Sequence, residues 1–130
     1  METEINVKDE IVTVRIRGEL DAHTAPPLKE QVTSALHEGG RWVVVNLEET
    51  EFIDSSGLGI LVGIGKRTGQ KSGDIVVVCS ADHLLRVFDI SGTRELLNVV
   101  TGTPDAEKLI EQWTQAGSDE AVSSDKEDAS

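Results

Sequence analysis

Two serines follow an aspartate at the end of an apolar stretch, in the sequence EFIDSSGLGILVGIGKRTG from Glu51 to Gly69. A serine hydroxyl can act as a nucleophile or as a helix cap, and its neighbours decide between these roles. A nucleophile elbow requires a glycine two residues before the serine, whereas Ile53 occupies that position before Ser55. No histidine is placed as a base for Ser55, which disfavours a serine-dependent enzyme. Asp54 and the serines are, however, typical of a helix cap after a buried strand.

The glycines that follow this motif do not form a known nucleotide-binding fingerprint. The dinucleotide fingerprint has its third glycine three residues after the second, whereas Gly63 follows Gly59 by four. No Gly-Lys-Ser or Gly-Lys-Thr follows a strand, so a P-loop is also absent. Five glycines lie in the segment, and each costs about 0.5–1 kcal/mol relative to alanine in a helix: Gly57, Gly59, Gly63, Gly65 and Gly69. We infer that something approaches this backbone closely.

The apolar residues of the same segment exceed what one buried helix face requires. Leu58, Leu61 and Val62 predict a core stripe, while Ile60 and Ile64 project from a different side. Two interpretations remain open at this point. Either the fold buries the helix on two sides, or an exposed apolar ridge, smoothed by Gly63, is covered by a partner.

Composition and charge exclude several classes of function. The chain has 130 residues and a formal net charge of -12 with scattered basic residues, which makes nucleic-acid binding an unfavourable interpretation. The single Cys79 cannot form an intramolecular disulfide. The N-terminus does not resemble a signal peptide and no apolar run is long enough for a membrane helix, so we expect a cytoplasmic protein without membrane contact. The three histidines are far apart, and we expect no metal site and no cofactor.

The hydrophobic pattern predicts an α/β fold of about five strands and about four helices. An antiparallel hairpin is expected at the N-terminus, from alternation around residues 5–17. RWVVVNLE and DIVVVCSA are continuous apolar runs typical of strands buried in a parallel sheet, and the segment between them predicts a crossover helix. The remaining helices are predicted in DAHTAPPLKEQVTSALHEGG, SADHLLRVFDISG and TPDAEKLIEQWTQAG. We expect one domain over residues 1–116 and a disordered acidic tail over residues 117–130.

These motifs together resemble a known bacterial family. EFIDSSGLGILVG, preceded by RWVVVNLEET and RGELDAHTAPPLKEQV and followed by VFDISG, is similar to the STAS-domain anti-sigma factor antagonists. The likeness runs from about Ile5 to Trp113. The chain has Thr93 and Arg94 after its DISG, where the family often has a hydrophobic residue. The acidic tail has no counterpart in the family pattern.

The resemblance implies a phosphorylation-switched binding protein that is not an enzyme. Such an antagonist binds an anti-sigma factor kinase of the GHKL type, frees the sigma factor for transcription, and is restored by a PP2C-type phosphatase. The resemblance makes Ser55 the phosphorylated residue and Asp54 its flanking acid. The partner-binding residues that it implies are Asp21, Asp54, Ser56, Gly57, Leu58, Ile60, Gly63 and Ile64.

One alternative is a STAS sensor or scaffold module that binds a small anion or nucleotide at the helix start, with Ser55 never modified. A second is a serine-dependent enzyme, which lacks a base. Phosphorylation of Ser55 by a cognate kinase would separate the sensor from the antagonist.

Overall fold

The protein is built around one mixed β-sheet that carries helices on both faces. A computed structural model describes residues 1–123, with side chains described as far as residue 116. The strands are β1 (Glu2–Lys8), β2 (Ile11–Leu20), β3 (Trp42–Asn46), β4 (Thr50–Ile53), β5 (Ile75–Val78) and β6 (Val99–Val100). The helices are α1 (Ala25–His37), α2 (Ser55–Gln70), α3 (Asp82–Ser91) and α4 (Thr103–Ser123).

The sheet has the order β1-β2-β3-β5-β6, and β4 pairs with β2 outside this path. β1 is antiparallel to β2, while β2, β3, β5 and β6 are parallel, with β4 also parallel to β2. Asp9 and Glu10 connect β1 to β2 with φ angles of 54° and 69°, which is the backbone of a two-residue type I′ hairpin turn. The predicted N-terminal hairpin and mixed α/β sheet are therefore confirmed.

The core has two layers because the central strands are buried on both faces. On one face, Ile75 and Val77 of β5 pack with residues of α1, α2 and α3, including Leu61 and Phe88. On the other face, Val76 and Val78 pack with Ala106 of α4 and its partly buried neighbours. The continuous apolar runs in the sequence follow from this double burial.

Strand β4 is the element that the sequence did not reveal. We predicted that the stretch after β3 leads directly into the crossover helix. Thr50–Ile53 instead forms a short additional strand before that helix. It pairs with Gly18–Leu20 of β2, with an irregularity in the register between Gly18 and Glu19. This pairing carries the chain to the carboxyl end of β2 before α2 begins.

The C-terminal helix differs in length from the prediction. We expected a tail from residue 117 onward, whereas α4 continues through Gly117 to Ser123. The predicted disorder of residues 124–130 lies outside the described residues.

Candidate functional site

The candidate site begins where β4 ends and α2 starts. Asp54 has extended backbone angles, with φ of -103° and ψ of -174°, and its carboxylate accepts a hydrogen bond from the Gly57 amide at 2.9 Å. This is N-capping by a carboxylate, which also places negative charge at the positive end of the helix. The predicted capping role of Asp54 is therefore confirmed.

Both serines lie at the first two positions of α2 and are exposed. Neither the Ser55 amide nor the Ser56 amide has a hydrogen bond to another described residue, as expected for the first amides of a helix. Within the part of the chain that the structure describes, the two hydroxyls also form no intramolecular hydrogen bond. A reagent or a partner can therefore reach the Ser55 hydroxyl without displacing an internal contact.

The surroundings of Gly57 explain why α2 has a glycine at this position despite its cost in helix propensity. A Cβ atom at this position would lie 2.5 Å from the Leu20 carbonyl oxygen and 2.8 Å from Leu20 Cγ. The Asp54 amide also donates to the Leu20 carbonyl, at 3.2 Å. The start of α2 thus lies directly against the end of β2, and only glycine permits this approach. From the sequence we inferred that something approaches the backbone of this helix closely. At Gly57 that neighbour is Leu20 of the same chain.

Asp21 lies at the same edge of the sheet because it follows Leu20, which pairs with Ile53 in the β2–β4 register. Its carboxylate accepts hydrogen bonds from the amides of Thr24 at 3.1 Å and His23 at 3.0 Å. These two bonds lower the pKa of the Asp21 carboxyl below its usual value. Asp21 therefore adds a second negative charge near the start of α2 while it holds the turn before α1.

The other predicted helix contacts fall into two groups. Leu58 and Ile60 are partly buried and pack against the core, while Gly59 and Gly63 have open space where a Cβ would lie. Ile64 is only 2% exposed and belongs to the core. An outward ridge at Ile64 is therefore wrong, because this residue shares the buried stripe of α2 with Leu61.

Phe52 is an exposed aromatic residue that the sequence reasoning did not include in the site. It lies in β4 two residues before Asp54 and is 48% exposed, while its neighbour Ile53 is buried. Exposed aromatic side chains are unusual on free surfaces and frequent at protein interfaces. Alternation could not have revealed Phe52, because β4 has two exposed residues, Glu51 and Phe52, between the buried Thr50 and Ile53.

The described residues contain no group of three or more His, Cys, Asp or Glu side chains with metal-binding geometry. Among those same residues, no helix has the length and apolar character needed to cross a membrane.

The fold and this site define a small α/β protein that presents a serine at the start of a helix beside two acidic residues. The STAS domain family matches residues 2–106. The chain belongs to the STAS domain family.

Relatives and solved structures agree with this assignment. The chain is 36% identical over 100 residues to the anti-sigma-B factor antagonist of Staphylococcus aureus strain NCTC 8325, covering 77% of this chain and 93% of the relative. An anti-sigma factor antagonist from Mycobacterium paratuberculosis has a similar structure, with a TM-score of 0.76 at 24% identity, covering 85% of this chain and 93% of the other. The phosphorylated form of the Bacillus cell fate determinant SpoIIAA gives a TM-score of 0.67 at 24% identity, with coverages of 85% and 98%. The likeness to these two structures shows the shared fold, and the resemblance to the antagonist family is confirmed.

Proposed function

We propose that this protein is an anti-sigma factor antagonist that binds a GHKL-type anti-sigma factor kinase while Ser55 is unphosphorylated. Binding releases the sigma factor in the cytoplasm, phosphorylation of Ser55 ends the interaction, and a PP2C-type phosphatase restores it. The protein acts by binding and not by catalysis. The 36% identical relative is named for this class of activity.

The observation that carries the proposal is the exposed Ser55 hydroxyl at the first position of α2. It projects from a helix end that Asp54 caps and that Leu20 supports from below. An acceptor serine must be accessible to the kinase, and the site for docking must surround it. The exposure of Ser55, and the exposed or partly exposed residues around it, support the proposal.

Electrostatics explain why a phosphate would end binding. A phosphoserine adds about -1.5 to -2 charges, and at Ser55 these charges would lie next to Asp54. Docking removes water from around these charges, so their repulsion grows on binding: two unit charges about 6 Å apart repel by roughly 0.7 kcal/mol at a dielectric constant of about 80 and by roughly 3 kcal/mol at about 20. The difference of about 2 kcal/mol corresponds to about a thirtyfold loss of affinity. Burial of the phosphate against an apolar partner surface would add a desolvation cost.

The free protein offers the same phosphate a favourable place. The unpaired amides of Ser55 and Ser56 lie at the positive end of the α2 dipole, which is a suitable arrangement for an anion. Phosphorylation should therefore disturb the complex far more than the fold.

The proposed docking surface comprises the exposed or partly exposed residues around this helix end: Asp21, Phe52, Asp54, Ser56, Leu58, Ile60 and Gly63. Gly57 contributes indirectly, because it is buried against Leu20. Ile64 is omitted because its side chain lies in the core.

The test is a pair of measurements with the cognate kinase. Incubation with the kinase and ATP should add one phosphate to the wild type and to Ser56→Ala, and none to Ser55→Ala. Titration calorimetry should show that Ser55→Ala binds like the wild type while Ser55→Glu binds about thirtyfold more weakly. Ser72→Glu, an exposed serine beyond the other end of α2, is the matched control and should bind normally.

The unpaired amides also favour a second candidate function, in which the helix start holds a small anion and Ser55 is never modified. That module would show no mass gain with any kinase. A phosphate mapped to a residue other than Ser55, or full binding by Ser55→Glu, would contradict the antagonist proposal.

A further inference from the structure

Strand β1 is an open edge of the sheet. It has seven residues and lies at one end of the strand order, and β2 is its pairing partner among the described strands. Half of its backbone N–H and C=O groups point away from β2, since the groups of a strand alternate between its two neighbours. The strand contains no proline and no irregularity in its register with β2. An edge of this length and regularity is a template for another strand.

The inward face of β1 is apolar and incompletely covered. Thr3, Ile5 and Val7 line a groove between β1 and α1, and Val7 is 45% exposed. The opposite wall of this groove comes from α1, through Gln31, Ser34, Ala35 and Glu38. An added strand with apolar residues on its inward face would complete the core at this position.

The outward face of β1 is charged, and its charges are arranged so that the strand complements itself. Glu2 and Lys8 stand at the two ends of the strand, with Glu4 and Asn6 between them. In an antiparallel pair of identical strands centred on Ile5, Glu2 of one copy opposes Lys8 of the other, and this pairing occurs twice. Glu4 opposes Asn6, Thr3 opposes Val7, and the two Ile5 residues meet on the axis.

We propose that β1 pairs with β1 of a second copy of this chain, antiparallel about a two-fold axis at Ile5, so that two sheets join into one. Such an isologous contact is the commonest symmetry of soluble dimers. We choose this register because it pairs all seven residues of β1 and forms both Glu2–Lys8 pairs between the two copies. A register centred on Glu4 would place two glutamates opposite each other, and one centred on Asn6 would pair only residues 4–8.

Three variants, each with one introduced cysteine, test the register directly. Opposed residues of antiparallel strands have Cα atoms about 4.5–5.5 Å apart, which suits a disulfide, whereas diagonal neighbours are generally too distant. Under mild oxidation, Ile5→Cys should therefore form a covalent dimer, while Glu4→Cys and Asn6→Cys should remain largely uncrosslinked. The native Cys79 is buried and does not compete. Crosslinking of Glu4→Cys or Asn6→Cys in preference to Ile5→Cys would overturn the proposed register.

Charge exchange provides a test that does not depend on disulfide geometry. Lys8→Glu brings like charges together at both ends of the paired strands and should raise the dimer dissociation constant by about tenfold. Adding Glu2→Lys to Lys8→Glu restores both acid–base pairs between the copies, although it removes the Arg17–Glu2 ion pair within each copy. Much of the dimer affinity should therefore return. Ile90→Lys, which adds a charge at an exposed apolar residue of α3, is the control and should leave the dimer unchanged.

Sedimentation equilibrium of the full chain measures these constants. A wild type that remains monomeric up to its solubility limit would overturn the proposal and leave the edge to a strand of another protein. A dimer of equal strength in the wild type, Lys8→Glu and the double variant would also overturn it, because association would then use another surface. The residues of β1 belong to no part of the proposed kinase-docking surface, so failure here leaves the phosphorylation proposal intact.

Discussion

The Asp54 carboxylate has two roles that can be separated by substitution. It accepts the Gly57 amide as the cap of α2, and it places a negative charge next to the Ser55 hydroxyl. Aspartate and asparagine cap helices about equally well, whereas alanine does not cap. The cap was predictable from the sequence because capping depends on only a few consecutive residues. The Asp21 turn was less accessible to prediction, because the hydrogen bond from the Thr24 amide to the Asp21 carboxylate lies in a turn that has no hydrophobic periodicity.

Substitution of Asp54 should distinguish capping from charge. We expect Asp54→Ala to lower the free energy of unfolding by about 1 kcal/mol, and Asp54→Asn to lower it by only a few tenths. Urea denaturation followed by circular dichroism measures both values. Equal losses in the two variants would show that the charge, and not the hydrogen bond to Gly57, stabilises the helix.

Helix α2 shows why its buried face could not be read from its apolar residues alone. The fully buried positions are Gly57, Leu61, Ile64 and Thr68, and this stripe has normal helical spacing. Glycine and threonine at two of the four positions carry no strong hydrophobic signal. The apolar pattern therefore predicted a stripe of Leu58, Leu61 and Val62, of which only Leu61 is fully buried, and left Ile64 outside it. The close contact of Gly57 with Leu20 also depends on β4, a strand too short to recognise without its pairing to β2.

The glycines of α2 should respond differently to alanine. Gly57→Ala places a Cβ 2.5 Å from the Leu20 carbonyl oxygen, and we expect a loss of about 1–3 kcal/mol in the free energy of unfolding. Gly59→Ala and Gly63→Ala have open space for the added methyl group, and each should gain about 0.5–1 kcal/mol. Chemical denaturation of the three variants in parallel measures these changes. A Gly57→Ala variant as stable as Gly59→Ala would contradict the close packing of α2 on β2.

At the scale of the whole molecule, the hydrophobic pattern predicted the architecture well. The apolar runs of β3 and β5 could only be buried between two helical layers, and the structure has those layers. The end of α4 was harder to predict, because the polar sequence of residues 117–123 favoured a tail, whereas their helical backbone continues from the preceding turns. Local composition carries no information about such continuation.

Phosphorylation of Ser55 should leave this architecture intact. The serine is exposed, so the phosphate should meet water and the helix dipole without entering the core. We expect the free energy of unfolding to change by less than about 1 kcal/mol, since the favourable dipole and the repulsion from Asp54 oppose each other. Urea denaturation and near-ultraviolet circular dichroism of the phosphorylated and unphosphorylated proteins provide the comparison. Loss of tertiary structure on phosphorylation would mean that the switch acts by unfolding.

The contact between Gly57 and Leu20 also has a kinetic consequence. Because the helix start is fixed on the end of a central strand, the backbone around Ser55 should lose little conformational entropy when a partner docks. A surface that is ordered before binding needs no folding step in the encounter. The kinase should therefore find the docking surface in its binding-competent shape, and differences in affinity among variants should appear mainly as differences in the lifetime of the complex.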